Sequence, residues 1–227
     1  MKTNPLNGGA QSTNSATPPI LLAMTAVTGI VDAVSFLALG RVFTANMTGN
    51  VMLLGFALGR TPGLSTERSF LALAFFLIGA VLGGRIDLAY AWRGLFLEAG
   101  LLGAASLLAI GLEISEYRGI LQVSAVIAVS AVAMGIRNAI VRKLAIPDLT
   151  TTVLTLTLTG LGADSSLAGG ENPRWRRRVA AVLALLIGAA VGVPLANRSA
   201  ALALGTCAAI SGFCAVLAFR NHQRRTT

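Results

Sequence analysis

Charge is scarce in this chain: only 12% of its 227 residues are Asp, Glu, Lys or Arg, and only nine of those are acidic. Histidine is nearly absent, with His222 alone near the C-terminal end. There is no H-E-x-x-H zinc motif, no Cys/His metal spacing and no G-x-S-x-G nucleophile elbow. These absences weigh against hydrolase and metal chemistry. The sequence therefore predicts no enzyme, no cofactor and no metal, and an Asp-only intramembrane reaction is the one catalytic option left. Cysteine is confined to Cys207 and Cys214. Seven residues apart on one helix, their Cα atoms lie about 10 Å apart, too far for a disulfide.

What the chain has instead is apolar length: 55% of it is hydrophobic. A spanning helix takes about 20 mostly apolar residues, and windows at 20–39, 70–91, 95–112, 119–141, 179–197 and 200–219 meet that requirement. Two shorter, polar-seeded segments, 42–59 and 146–163, lie between the first and second windows of each half. The net charge of +9 is spread over helix ends and is not gathered on one soluble face, which argues against a nucleic-acid partner. It fits the positive-inside rule. If the polar segments are re-entrant, twelve Lys and Arg fall on the side of both termini and five on the other, with Arg137 inside a helix. If they cross fully, the division is eleven to six. Both readings put both termini in the cytoplasm, and the charge count does not choose between them. The stretch 1–19, rich in Asn, Thr, Ser, Gly and Pro, reads as a disordered cytoplasmic tail ahead of an uncleaved signal-anchor helix. Residues 221–227 read as a basic cytoplasmic tail.

The chain also echoes itself. Gly29-Ile30-Val31-Asp32-Ala33-Val34 returns as Gly135-Ile136-Arg137-Asn138-Ala139-Ile140, and Leu77-Ile78-Gly79-Ala80-Val81-Leu82-Gly83 returns as Leu186-Ile187-Gly188-Ala189-Ala190-Val191-Gly192. The expectation is an all-α polytopic membrane protein with six transmembrane helices in two related three-helix repeats, 20–113 and 119–220. Each repeat carries one polar re-entrant or broken segment. Three spans per half invert the second repeat relative to the first, whereas four make the repeats parallel. Inversion is preferred because both polar segments are short for clean spans.

Polar residues inside these segments are the candidate site. In Phe43-Thr44-Ala45-Asn46-Met47-Thr48-Gly49-Asn50, either Thr48 or Asn50 is placed to cap the following helix, with Gly49 easing an irregular backbone before it. At the matching place stand Thr150, Thr151 and Thr155, in a Thr-rich run whose Thr/Leu alternation also permits a short extended piece. Asp32 falls near mid-membrane, where an ionisable group marks an ion path, a proton relay or a paired counter-charge. Its repeat counterpart is Asn138, and Arg137 is its nearest candidate partner. The competing reading is that these hydroxyls, amides and charges only hold helices together. Gly79, Gly83, Gly188 and Gly192 are at small-xxx-small spacing and read as helix-packing positions, joining either the two halves or two subunits. Asp87 and Glu98 read as interfacial groups near Arg85 and Arg93. The run Asn172-Pro173-Arg174-Trp175-Arg176-Arg177-Arg178 reads as an interfacial anchor on anionic lipid.

The runs Gly29-Ile30-Val31-Asp32-Ala33-Val34-Ser35, Phe43 to Asn50, and Gly135 to Ala139 followed by Thr150-Thr151 resemble the YoaK family of small multi-pass, mostly bacterial membrane proteins that carry a domain of unknown function. The resemblance covers nearly the whole chain after the polar tail, and the F-x-x-N-x-T-G-N element is fairly specific. It implies a membrane location and about six helices, and it brings no substrate. Where the family's second half often repeats Thr-Gly-Asn, this chain has Thr155-Leu156-Thr157.

The functional expectation is a small secondary transporter or permease for a small polar solute, proton or cation in the bacterial cytoplasmic (inner) membrane. Asp32, Asn46, Thr48, Asn50, Asn138, Thr150, Thr151 and Thr155 are its candidate binding residues. The partners expected are the lipid bilayer and that solute, and so small a chain is compatible with a homodimer. A non-transporting membrane scaffold or assembly protein is the alternative.

Overall fold

The computed structural model describes residues 17–114, 119–145 and 154–226. Every element among them is helical: α1 (Thr17–Ala38), α2 (Met47–Leu58), α3 (Thr66–Arg85), α4 (Ala91–Ile114), α5 (Ile120–Leu144), α6 (Leu154–Ala163), α7 (Trp175–Arg198) and α8 (Ala200–Thr226), with single 3-10 turns before α4 and α7. Six are long and apolar enough to cross a membrane. At about 1.5 Å per residue their 20 to 27 residues reach about 30 Å or more, the thickness of a hydrocarbon core. The 12 residues of α2 and 10 of α6 cover only about 18 and 15 Å.

Helix ends follow local chemistry. The α1 helix opens on Thr17-Pro18-Pro19, where proline costs little because first-turn N–H groups have no intrahelical acceptor. Ser65 caps α3, its hydroxyl accepting from Arg68 N at 3.2 Å, and Asp87 accepts from Ala89 N at 3.0 Å to start the turn before α4. The last helix runs through 221–226 without a break, so those residues continue a helix.

The apolar pattern is that of a membrane protein. Large apolar side chains stay exposed on the outer faces, including Leu107 at 70%, Phe70 at 65% and Phe213 at 65%. The backbone is meanwhile satisfied within the helices, as hydrocarbon surroundings demand. The core sits where α1, α4, α5 and α8 meet, filled by Val27, Val31, Leu102, Ile127 and Leu204.

Helix directions can be read from contacts. A Cβ on Gly79 would run into the Val132 backbone and one on Gly83 into Ile136, so α3 and α5 run parallel. In the same way Gly188 lies on Ala26 and Gly192 on Ile30, so α7 and α1 run parallel. By contrast α4 and α8 are antiparallel: the Trp92 and Phe219 rings are 4.8 Å apart at one end, and Ser106 Oγ donates to Ala201 O at 2.7 Å toward the other. The pair α1 and α5 is antiparallel too, with Leu21 beside Val141 and Thr28 bonded to Arg137.

Candidate functional site

Beyond α1 the chain doubles back through two left-handed residues, Gly40 (φ 99°) and Arg41 (φ 58°). The Arg68 side chain lies against Gly40 so closely that a Cβ there would collide with its guanidinium. Phe43 then stacks on Phe36 with ring centroids 5.1 Å apart. The irregular backbone that follows is held by side chains. Asp32 Oδ1 accepts from Ala45 N at 2.8 Å and Thr44 N at 3.2 Å. The buried Asn50 closes a two-way bond with Phe43, its Oδ1 accepting from Phe43 N at 2.8 Å and its Nδ2 donating to Phe43 O. Non-helical backbone at membrane depth survives only with such partners.

The cap of α2 is Asn46, whose Oδ1 accepts from Gly49 N at 3.2 Å, not Thr48 or Asn50 as the spacing suggested. Asn50 is drawn away by Phe43, and Gly49 sits inside the helix where its missing Cβ makes room for the Phe43 ring. The Thr/Leu run of the second half is helical from Leu154 onward, not extended.

Two cavities meet at Asn46 and Thr48. One, of about 320 Å³, is lined by Thr28, Asp32, Asn46, Thr48 and Thr155. The other, of about 760 Å³, is lined by Asn46, Thr48, Asn138 and Arg142. Asn46, Thr48 and Thr155 are exposed, Asp32 and Asn138 half-buried. Asn138 donates from Nδ2 to Met134 O at 2.9 Å. The structure thus gathers Asp32, Asn46, Thr48, Asn138 and Thr155 around the start of α2, and Thr155 brings the start of α6 to the same place. Asn50 lies beneath, on the loop. Thr150 and Thr151 fall outside the described residues. A carboxyl group beside hydroxyls and amides is suited to a proton, a cation or a small polar solute. One of the first N–H groups of α2, that of Gly49, is taken by the Asn46 cap, and the Asp32 carboxyl group beside it shifts the local balance away from an anion.

Arg137 does not turn to Asp32. Its guanidinium pairs with Glu98 through Nε at 2.9 Å and through Nη2, and its Nη1 donates to Met24 O and Thr28 Oγ1, both at 2.8 Å. Ser211 Oγ adds a bond to Glu98 Oε1 at 2.9 Å. Both charged side chains are 0% exposed. The reading of Glu98 as an interfacial residue is therefore corrected: α4 begins four residues before the apolar window, so Glu98 is two turns inside a helix and faces the core. Asp87 does sit at a helix end and is exposed.

The four packing glycines all press on the first helix of the other half: Gly79 and Gly83 on α5, Gly188 and Gly192 on α1. Arg178, buried beside α6, donates to Gly160 O at 2.5 Å and pairs with Asp164 at 2.7 Å, fastening the C-terminal turn of that short helix.

Comparison with known proteins places this arrangement. The family model described as "Protein of unknown function (DUF1275)" matches residues 20–217, nearly the whole described chain. The UPF0700 transmembrane protein YoaK of Bacillus subtilis (strain 168) is 37% identical over 150 residues, which are 64% of this chain and 65% of that protein. The match thus spans a little under two thirds of the relative's length. No solved structure matches. The match over residues 20–217 makes the chain a member of the DUF1275 family, and the six long apolar helices with the likeness to the transmembrane protein YoaK make it a membrane protein.

Proposed function

We propose that the protein is a small secondary transporter or permease for a small polar solute or ion. It works in the bacterial cytoplasmic membrane with both termini cytoplasmic and catalyses no reaction. The observation that carries this reading is the single cavity bordered by Asp32, Asn46, Thr48 and Thr155, where two short helices from different parts of the chain begin. Interrupted segments at corresponding positions of two halves are the usual sequence pointer to a transporter site.

The proposed architecture is a pair of inverted repeats, each a long, a short and two long helices. The helix directions support it. If α2 and α6 crossed fully, the corresponding helices α1 and α5 would run parallel, and so would α4 and α8. Both pairs are antiparallel, which favours short helices that enter and leave on one side. The glycine contacts support it as well. Gly79 on Val132 and Gly83 on Ile136 have the same registers as Gly188 on Ala26 and Gly192 on Ile30. On this reading the glycine stripes join the halves, and transport is a rocking of one half on the other.

One observation favours the scaffold alternative: Asp32 Oδ1 and Asn50 Oδ1 both accept from backbone N–H groups of the loop. The substitution Asp32→Asn separates the two readings, because an amide oxygen still accepts from Thr44 and Ala45 but carries no exchangeable charge. The test is thermal stabilisation of purified protein across a panel of small metabolites and ions. A compound-specific shift present in the native chain and lost in Asp32→Asn is the expected result. No shift with any compound, beside an Asp32→Asn variant as stable as the native chain, favours the scaffold.

A further inference from the structure

A second carboxyl group lies deeper than Asp32. Glu98 is fully buried, and its two oxygens are used unequally. Oε1 takes the bonds from Arg137 and Ser211. Oε2 has no hydrogen-bond partner among the described residues. An intramembrane ionisable group is expensive to keep and by default marks a function.

Its position is between two cavities. Arg137, which holds Oε1, also holds Thr28, and Thr28 lines the Asp32 cavity. The same guanidinium nitrogen holds the carbonyl of Met24, and Met24 lines a cavity of about 190 Å³ at the other end of α1. Leu95, one turn before Glu98, lines that cavity too, as does His222. Other groups face the pair from each neighbouring helix. From α1 comes Asp32, one turn beyond Thr28. From α8 come Ser211 and the buried thiols Cys207 and Cys214.

We propose that Glu98 is a second proton-binding site, in series with Asp32, on a route joining the two cavities across the Arg137 ion pair. This rests on the transport reading and names its coupling ion as the proton. A hydronium ion delivered through water on the His222 side gives up a proton and becomes water, an O–H bond forms on Oε2, and all bonds on Oε1 stay in place. The O–H bond breaks when the proton passes to water in the Asp32 cavity, forming hydronium that hands it to the Asp32 carboxylate, and Glu98 is again a carboxylate held by Arg137 through Oε1. Arginine itself stays charged throughout and acts as the fixed counter-ion.

Infrared difference spectroscopy of the full-length protein in lipid, taken between alkaline and acidic buffer, tests this directly. A carbonyl band of a protonated carboxylic acid is expected on acidification. It should disappear in Glu98→Gln and reappear at a shifted frequency in Glu98→Asp. A band set unchanged in Glu98→Gln overturns the proposal. Should Glu98→Gln fail to fold, Glu98→Asp with bands identical to the native chain's does the same. Vesicles loaded with a pH-sensitive dye keep this failure distinct from failure of the transport reading. Ligand binding or proton flux lost in Asp32→Asn, beside an infrared spectrum that ignores Glu98, leaves transport standing and removes Glu98.

Discussion

Replacing Asp32 in two ways isolates its two tasks. Asp32→Asn retains an acceptor for Ala45 and Thr44, so its melting temperature should stay within a few degrees of the native chain's. Asp32→Ala strands both N–H groups, at about 1–3 kcal/mol each, and thermal unfolding should show the loss. Equal melting of the two variants would mean that the carboxylate does not hold the loop. At Arg137, truncation to Met should cost about 3–5 kcal/mol because Glu98 loses its buried counter-ion, while Arg137→Met combined with Glu98→Leu should recover much of that. A double-mutant cycle on purified protein measures it. These residues also mark where sequence reading stops. Asp32 stood out because a charge inside an apolar run is conspicuous by itself. Glu98 did not, because the apolar window holding it begins only three residues earlier, and its partners Arg137 and Ser211 lie 39 and 113 residues away.

Among the elements, the six long helices were legible because continuous apolar length is a strong signal. The short ones were legible as interruptions, from Asn, Thr and Gly ahead of an apolar stretch. Their caps were not: Asn46, Thr48 and Asn50 all have suitable oxygens, and only the fold shows that Phe43 claims Asn50. The glycine repeats were legible in spacing but not in partner. Their packing gives a comparison of neighbours on one helix. Gly83→Ala should destabilise, because a Cβ there meets Ile136 and Ala139. Gly84→Ala, with nothing within 4 Å, should be neutral or stabilising by up to about 1 kcal/mol of helix propensity. Equal effects on thermal unfolding would contradict the α3–α5 contact.

At the scale of the whole molecule, the proposed inversion of the halves predicts which side each loop faces. With α2 returning to its own side, a cysteine at Gly63 is labelled from the side opposite the N-terminus, whereas full crossing of α2 puts both on one side. A cysteine at Leu88 is expected on the side of the N-terminus. Impermeant thiol labelling of intact cells against inverted vesicles distinguishes these, after the buried Cys207 and Cys214 are replaced by alanine.

Transport through this site requires that water reach the cavity lined by the starts of α2 and α6. Thiols react as thiolates and need water to form them. Thr48→Cys and Thr155→Cys, in the cysteine-free background and in membranes, should therefore react with a water-soluble thiol reagent much faster than Leu107→Cys on the outer apolar face. Reaction of both no faster than Leu107→Cys would show a dry junction, with Asp32, Asn46 and Thr48 serving only to hold helices together.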